Sequence, residues 1–458
     1  RYANSDTALY LWGVGNHGGG PSRIDLQKIE ELKKSEKEFN LIHSTPEAFF
    51  DELKTSSEPV PDYDGIMNPR YTGCYTSMMR TKKIHRTLEN ELYMTEKMSA
   101  HALMAGVSDY PSEEIEKATK DLLLVEFHDI LPGSAIEPVG EYAQAVAGHG
   151  LTELRPEKIK AFLALCSDKA KAEEGTIPVF VYNPHPYEVD ETVEVEFQLP
   201  DQNKNPALYS VPHVYYMGKE IPCQREHEIS NFNVDWRIKT VFFAKLPAGT
   251  MSRFDIKMEL RENPVPPVQP EGDELVWNNG KMKVVINLHT GLIDSYEADG
   301  RVGLGKGSFA PLAIKDDENS WAHKEKSFRN IKGEFTLMDE EKAAEFSGII
   351  NGSRPHSVRI IEDGAVRTVV EALFSYHDSF LARRYYLPKN SSDFTVRDKV
   401  YWNEKMTMLK LSLRTVDGDI FIGQTAYGSE TLLTNGDEMV SQKWNLVSDG
   451  NTALTVIN

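Results

Sequence analysis

A histidine followed by an aspartate, His128 and Asp129, stands in the segment EFHDILPGS at residues 126–134. The apolar periodicity before it predicts a helix that runs into this segment and stops before Pro132. An imidazole there can ligate a metal ion or interact with the helix dipole, and the carboxylate can polarise it or hold a substrate hydroxyl. By residue type alone, a half-buried histidine with satisfied hydrogen bonds is the commoner structure. Zinc needs three or four ligands, and the chain contains neither HxxxH nor HExxH.

Two further segments combine residue types that suit ligand binding. The first is GVGNHGGGPS at residues 13–22, whose glycines let a backbone approach a ligand closely. It is neither a Walker A loop nor a dinucleotide-binding fingerprint, and a tight polar turn fits it equally well. The second is DDENSW at residues 316–321, where carboxylates beside Trp321 suit sugar recognition. A solvated loop with one buried indole is the commoner alternative for that pattern.

The elements that must position these residues begin with an α/β pattern over residues 1–57. Short apolar runs at 8–14 and 39–43 predict strands, and helical patterns follow at 28–39 and up to Leu53. This order is typical of a parallel sheet, but two strands cannot form a covered core alone. We therefore expect residues 1–57 to be the C-terminal part of a β/α domain.

Helical periodicity dominates residues 70–172. Separate helices are predicted from Thr76, from Pro111 to Asp129, near 137–147 and near 156–171. Because the connections between them are short, the pattern indicates an antiparallel helical bundle.

Strand periodicity replaces it after Gly175. Residues 176–262 alternate apolar and polar side chains and predict a small β domain, and a proline-rich stretch at 263–270 follows. Turn dipeptides such as Asn279-Gly280 then punctuate residues 272–458, which predicts a large β-sandwich domain. The expected fold class is therefore multidomain α+β.

Charge and composition exclude several classes of function. The 458 residues carry a formal net charge of −19, so binding to nucleic acids or to anionic membrane surfaces is not expected. No apolar run reaches the length needed to span a bilayer. The three cysteines contain no CxxC pair, which argues against a zinc ribbon and indicates a reducing, cytoplasmic location. The oligomeric state, including a homo-oligomer, stays open.

Taken together and in order, these segments resemble glycoside hydrolase family 38, the retaining α-mannosidases, and in particular its cytosolic and bacterial branch. The resemblance extends over essentially the whole chain. Its motifs are GVGNHGGGPS at 13–22, YTGCYTS at 71–77 with Arg80-Thr-Lys after it, FHDILPGS at 127–134, VYNPHP at 181–186, the segment 317–321, and YGSE, TNG and QKW between 427 and 444.

The resemblance implies a tail of an N-terminal β/α barrel, an antiparallel helical bundle and mutarotase-like β-sandwich domains. It also implies one divalent metal ion, usually zinc, held by a His-x-Asp pair, a catalytic aspartate and a further histidine. By position, His128 would be that last metal ligand, and Asp129 would contact hydroxyls of a mannose-containing oligosaccharide. In such enzymes one carboxylate forms a glycosyl-enzyme and a second acid protonates the leaving oxygen.

The sequence departs from the family pattern in two places. Asn16 stands where the family has an aspartate after Gly-x-Gly, and an asparagine cannot donate a catalytic proton. His17 beside it can, because an imidazole has an ordinary pKa of about 6.5, so it is the candidate acid/base.

The His-x-Asp pair and the nucleophile belong to a part of the barrel that this chain lacks. We therefore expect a central fragment of the enzyme, inactive alone, with a truncated large β domain. A mannosylglycerate hydrolase of the same family and a non-catalytic carbohydrate-binding or scaffold fragment are the alternatives.

Overall fold

The computed structural model describes residues 7–13, 20–55, 62–63, 71–228, 234–262, 266–348, 352, 354–415 and 418–458. The chain divides into two compact units, Arg1–Ile66 and Met67–Asn458. The helices are α1 (Arg23–Ser35), α2 (Pro46–Thr55), α3 (Met79–Met104), α4 (Ser112–Val125), α5 (Glu137–Cys166) and α6 (Glu340–Phe346).

The first unit contains α1 and α2. Helix α1 begins with a capping box, because the Ser22 hydroxyl accepts from the Asp25 backbone N–H while the Ser22 N–H donates to the Asp25 carboxylate. The strands predicted at 8–14 and 39–43 are wrong, since the described residues of both segments form no strand. A strand needs neighbours for its backbone groups, and the described part of this unit offers none.

The second unit begins with a short 3₁₀ helix, Thr72–Tyr75, and the helices α3, α4 and α5. Helix α5 packs against both α3 and α4. Their apolar faces form one buried core, whose members include Leu88, Leu122, Val125, Ala147 and Leu154. The predicted helical region is therefore confirmed.

Helix α5 is one continuous helix, although two helices were expected near 137–147 and 156–171. Pro156 lies inside it, where a proline normally disrupts the hydrogen-bond ladder. Buried residues recur along one face on both sides of the proline, including Leu154 and Ala161. Because packing against α3 continues past Pro156, where Ala161 and Leu165 join a cluster with Met98 and Ala102, tertiary burial outweighs the local cost.

Strands follow from Thr176 onward, and every pairing among the described strands is antiparallel. The first seven are β1 (Thr176–Tyr182), β2 (Val189–Asn203), β3 (Leu208–Tyr216), β4 (Lys219–Ile221), β5 (Cys223–Glu226), β6 (Asp235–Leu246) and β7 (Met251–Glu262). They form two sheets, β1-β7-β3-β4 and β2-β6-β5, which share a core that includes Val214, Phe242 and Phe254. We call these strands the first β region.

The remaining strands, which we call the second β region, are β8 (Glu274–Asn278), β9 (Met282–Asn287), β10 (Ile293–Ala298), β11 (Arg301–Leu304), β12 (Ala310–Lys315), β13 (Ile331–Glu334), β14 (Thr336–Leu337), β15 (Val358–Asp363), β16 (Arg367–Tyr376), β17 (Ser379–Pro388), β18 (Thr395–Tyr401), β19 (Thr407–Ser412), β20 (Ile420–Thr425), β21 (Gly428–Thr431), β22 (Trp444–Ser448) and β23 (Ala453–Ile457). The sheets β11-β10-β9-β8 and β14-β16-β17-β18 contribute to one core that includes Trp277, Ile286, Phe374 and Tyr385. The other two described sheets are β13-β12-β19 and β21-β20-β22-β23.

Two of the predicted turn dipeptides connect strands that are neighbours in a sheet. Asn279-Gly280 joins β8 to β9, and Asp299-Gly300 joins β10 to β11. In the second turn both residues have positive φ, 51° at Asp299 and 75° at Gly300. This combination is typical of the hairpin turn whose twist matches that of the flanking strands.

None of the helices in the described ranges combines the length and the apolar character that a bilayer span requires. The three cysteines, Cys74, Cys166 and Cys223, are free thiols.

Candidate functional site

Three segments that are distant in sequence meet in the second unit: residues 71–82, 127–134 and 316–325. The Ser77 hydroxyl lies 2.8 Å from the Ser320 carbonyl oxygen and 2.7 Å from that of Gly73. The Gly73 N–H donates to the Trp321 carbonyl at 3.3 Å. These hydrogen bonds join the start of the helical region to the loop after β12. That loop contains the segment DDENSW at 316–321, which was identified in the sequence.

The segment 127–134 forms a compact series of turns after α4. The expected helix through His128 is wrong, because α4 ends at Val125 with Glu126 as its C-cap. Inside the turns, the Ile130 N–H donates to the Phe127 carbonyl at 2.8 Å, and the Ala135 N–H donates to the Asp129 carbonyl at 2.8 Å. The Ile130 side chain is buried in the bundle core and anchors the segment.

His128 points away from the protein core. Its side chain is 74% exposed, so the alternative of a half-buried core histidine does not hold. The imidazole Nε2 lies 3.5 Å from a carboxylate oxygen of Asp129, and the ring packs beside that of Phe127 with 4.2 Å between the centroids. The Ser134 hydroxyl donates to the other Asp129 oxygen at 3.2 Å. The structure therefore presents an imidazole and an oriented carboxylate side by side at the surface.

The loop after β12 places aromatic rings next to residues 71–77. Trp321 is half-buried and contacts Tyr71 edge to face, with 5.5 Å between ring centroids. Tyr71 also lies 6.3 Å from the ring of His323. Asp316 and Asp317 are half-buried, and the Asp317 N–H donates to the Asp316 carboxylate at 2.9 Å. The Trp321 indole is therefore neither fully buried nor isolated in solvent.

Lys82, which the sequence motifs do not single out as a site residue, connects two of the three segments. Its ammonium donates to the Leu131 carbonyl at 2.8 Å and also to the Ser77 carbonyl. Burial lowers the pKa of Lys82 to about 8, and the electrostatic interaction with Cys74 opposes this shift. The only signal in the sequence is its place in the Arg80-Thr-Lys segment that follows the motif at 71–77. A lysine in the first turn of a helix ordinarily indicates a solvated side chain.

An imidazole nitrogen and a carboxylate oxygen are both donors that zinc accepts in proteins. No group of three or more histidine, cysteine, aspartate or glutamate side chains that could hold a metal ion occurs among the residues described by the structure. Asn16 and His17, the candidates for the acid/base position, lie outside the described residues. His128 and Asp129 are therefore the predicted site residues whose geometry is known.

Comparison with known proteins identifies the helical region first. A family model described as the alpha mannosidase middle domain matches residues 70–158, which include His128 and Asp129. The chain is 30% identical over 179 residues to the alpha-mannosidase of Saccharomyces cerevisiae, an alignment that covers 36% of this chain and 16% of the yeast protein. It is 29% identical over 215 residues to alpha-mannosidase 2C1 of Homo sapiens, covering 46% of this chain and 20% of the human protein.

Solved structures share the fold over nearly the entire chain. A glycosyl hydrolase family 38 protein from Enterococcus faecalis matches with a TM-score of 0.71 at 13% identity, covering 96% of this chain and 56% of that chain. An alpha-mannosidase from Enterococcus faecalis V583 matches with a TM-score of 0.67 at 13% identity. The chain thus spans about half the length of these structures. It shares the fold of these structures, carries at residues 70–158 a segment similar to the alpha mannosidase middle domain, and is similar in sequence to the curated alpha-mannosidases.

Proposed function

We propose that the protein carrying this chain is a retaining α-mannosidase that uses a divalent metal ion and acts on mannose-containing oligosaccharides. The observation that carries the proposal is the exposed His128–Asp129 pair, on a loop that lies within the match to the middle domain of α-mannosidases. The names of the curated relatives support the same activity.

His128 would be one ligand of the metal ion. Its imidazole is 74% exposed, and the loop that carries it is held by backbone hydrogen bonds, so the ring suits a role as a pre-positioned nitrogen donor. The nitrogen and oxygen donors of this pair suit Zn²⁺, and the resemblance to the family implies that the remaining ligands come from its barrel. Bound there, the ion would hold sugar hydroxyls and favour the distorted ring of an oxocarbenium-like transition state.

Asp129 would bind the substrate directly. One carboxylate oxygen accepts from the Ser134 hydroxyl at 3.2 Å, which fixes the rotation of the group. With the carboxylate held in this way, Asp129 can accept hydrogen bonds from sugar hydroxyls with little further loss of entropy. Trp321 of the loop after β12 and Tyr71, which it contacts, supply apolar ring surface against which the C–H face of a sugar can stack.

The acid/base role falls to His17 in this proposal, because the neighbouring Asn16 cannot donate a catalytic proton. The nucleophilic carboxylate is assigned to the barrel, as in the family that the sequence resembles. The chain alone would therefore lack the covalent step of a retaining mechanism.

The direct test is hydrolysis of p-nitrophenyl α-mannoside by the full-length protein, measured before and after treatment with a chelator. We expect turnover that the chelator abolishes and that added Zn²⁺ restores. Absence of turnover would contradict the α-mannosidase proposal, and turnover that survives complete metal removal would contradict the role of the metal.

A second candidate function applies to the 458-residue chain by itself, as a sugar-binding portion without turnover. It is favoured by the oriented carboxylate of Asp129 and by the rings of Tyr71 and Trp321. Titration calorimetry with mannose and mannobiose distinguishes the two. Measurable binding that Asp129→Ala removes supports this function, and no heat of binding for either sugar rejects it.

A further inference from the structure

Lys82 is a partly buried cation whose identified acceptors are both backbone carbonyls. Its ammonium donates to the Leu131 carbonyl at 2.8 Å and to the Ser77 carbonyl. Among the described residues, no carboxylate lies within ion-pair distance of it. Burying an ammonium without a countercharge is costly, and the cost is visible in its pKa, which burial lowers to about 8. The two carbonyl hydrogen bonds offset part of this cost.

The two carbonyls belong to the two segments that frame the candidate site. Ser77 ends the turn before α3, and Leu131 lies in the loop that carries His128 and Asp129. The loop also packs closely against Ser77 itself, because a Cβ on Gly133 would lie 2.9 Å from the Ser77 carbonyl oxygen. The Lys82 ammonium thus bridges the loop to the backbone at Ser77.

We propose that Lys82 is a positioning residue, which fixes the orientation of His128 and Asp129 by holding the Leu131 carbonyl. The inference rests on the proposed function of those two residues. The Ile130 and Leu131 N–H groups both donate to the Phe127 carbonyl, so a displacement at Leu131 is transmitted to the turn that contains His128. Small errors in the position of a ligating or binding group cost large factors in affinity and rate.

The test uses the full-length protein with the substitution Lys82→Met, which keeps the length of the side chain and removes its donors. Lys83→Met is the matched control, because Lys83 is the next residue on α3 and its side chain is exposed. Outer contacts that orient metal ligands are worth about 10–100-fold in metal affinity or activity. We therefore expect Lys82→Met to lower Zn²⁺ affinity and kcat/KM for p-nitrophenyl α-mannoside by that factor, and Lys83→Met to leave both unchanged.

A purely structural role for Lys82 predicts a different pattern. In that case Lys82→Met lowers the melting temperature, but Zn²⁺ affinity and kcat/KM of the folded protein stay at the wild-type values, and this result would overturn the inference. Lys82→Gln retains an N–H donor without the charge and is expected to recover part of the lost affinity. It also supplies the same readouts if Lys82→Met does not fold.

Hydrogen exchange separates failure of this inference from failure of the proposed function. If the wild-type protein neither binds Zn²⁺ nor hydrolyses the mannoside, the proposed function fails, but the amides of Ile130, Leu131, Gly133 and Ala135 still report on the loop. We expect them to exchange at least about tenfold faster in the Lys82 variant than in the Lys83 variant. Equal exchange in the two variants would show that Lys82 does not hold the loop.

Discussion

Arg367 and Glu226 form a two-point ion pair across the junction of the two β regions. The guanidinium Nε and Nη2 each lie 2.7 Å from a carboxylate oxygen, and both side chains are almost fully buried. Glu194 accepts from Arg367 Nη1 at 2.9 Å, and the Lys239 ammonium lies within 3.1 Å of both glutamates. Burial alone would raise the pKa of Glu194, but its hydrogen bonds from Arg367 and Lys239 lower it to about 2. These groups connect β2, β5 and β6 to β16.

Removing the arginine from this cluster should be strongly destabilising. Arg367→Met leaves Glu226 buried with less of its countercharge, and breaking such a pair from one side costs about 3–5 kcal/mol of unfolding free energy. Arg397→Met is the matched control, because Arg397 contacts Glu194 at 3.4 Å with a side chain that is 58% exposed, and exposed pairs contribute at most about 1 kcal/mol. Urea denaturation measures both values. Equal losses for the two variants would contradict the importance assigned to the buried pair.

The close contact at Gly73 makes a second prediction. A Cβ at this position would lie 2.5 Å from the Ser320 carbonyl oxygen and 2.8 Å from the Ala322 Cβ, so Gly73→Ala must push the loop after β12 away from residues 71–77. We expect a loss of about 1–3 kcal/mol in unfolding free energy. Gly148→Ala in α5 is the control, because a Cβ added to Gly148 would have no neighbouring atom within 4 Å and an alanine favours the helix by about 0.5–1 kcal/mol. Thermal denaturation that shows no difference between the two would reject the close packing of Gly73.

His213 should make the stability depend on pH. Its Nδ1 lies 2.7 Å from a Glu220 oxygen and its Nε2 lies 2.9 Å from a Glu259 oxygen, and these contacts raise the pKa of His213 above its ordinary value. The protonated imidazole therefore favours the folded state, and its contribution is complete below about pH 6.5 and lost as the pH rises through the raised pKa. Both carboxylates are half exposed, so screening limits the effect to about 1 kcal/mol.

The measurement is the difference in unfolding free energy between the wild type and His213→Gln at pH 5.5 and at pH 9. We expect a difference at the lower pH that disappears at the higher one. His356→Gln serves as the control, since that histidine is 66% exposed and has one glutamate neighbour at 3.1 Å. A difference for His213→Gln that grows towards pH 9 would be opposite in sign to the expected linkage.

The helical and β regions were predictable because they depend on periodicity that each segment shows by itself. Predictions failed where packing in the folded protein, and not the local sequence, determines whether a helix continues or a strand forms. Pro156 suggested two helices, but the buried face that continues from Leu154 to Ala161 maintains one. The apolar runs at 8–14 and 39–43 have strand composition, yet no strands form in their described residues, because a strand depends on partners that local sequence does not specify.

The sequence predicted which residue types form the candidate site, but it did not predict how the fold places them. His128 and Asp129 stand out by residue type, but their exposure on a turn after α4 depends on where that helix ends. The contact between Ser77 and Ser320 joins residues that are 243 positions apart, so no local pattern reveals it. Lys82 was missed for a related reason, since its acceptors are backbone carbonyls and carry no signature in side-chain types.

The metal content of the full-length protein with His128→Ala tests the central claim most directly. His289→Ala is the matched control, because that imidazole is also exposed and also lies beside an aspartate, at 2.8 Å from Asp273. We expect elemental analysis to find stoichiometric zinc in the wild type and in the His289 variant, and a loss of tightly bound zinc in the His128 variant, together with loss of mannoside hydrolysis. Wild-type zinc content in a folded His128→Ala protein would contradict the assignment of this histidine as a metal ligand.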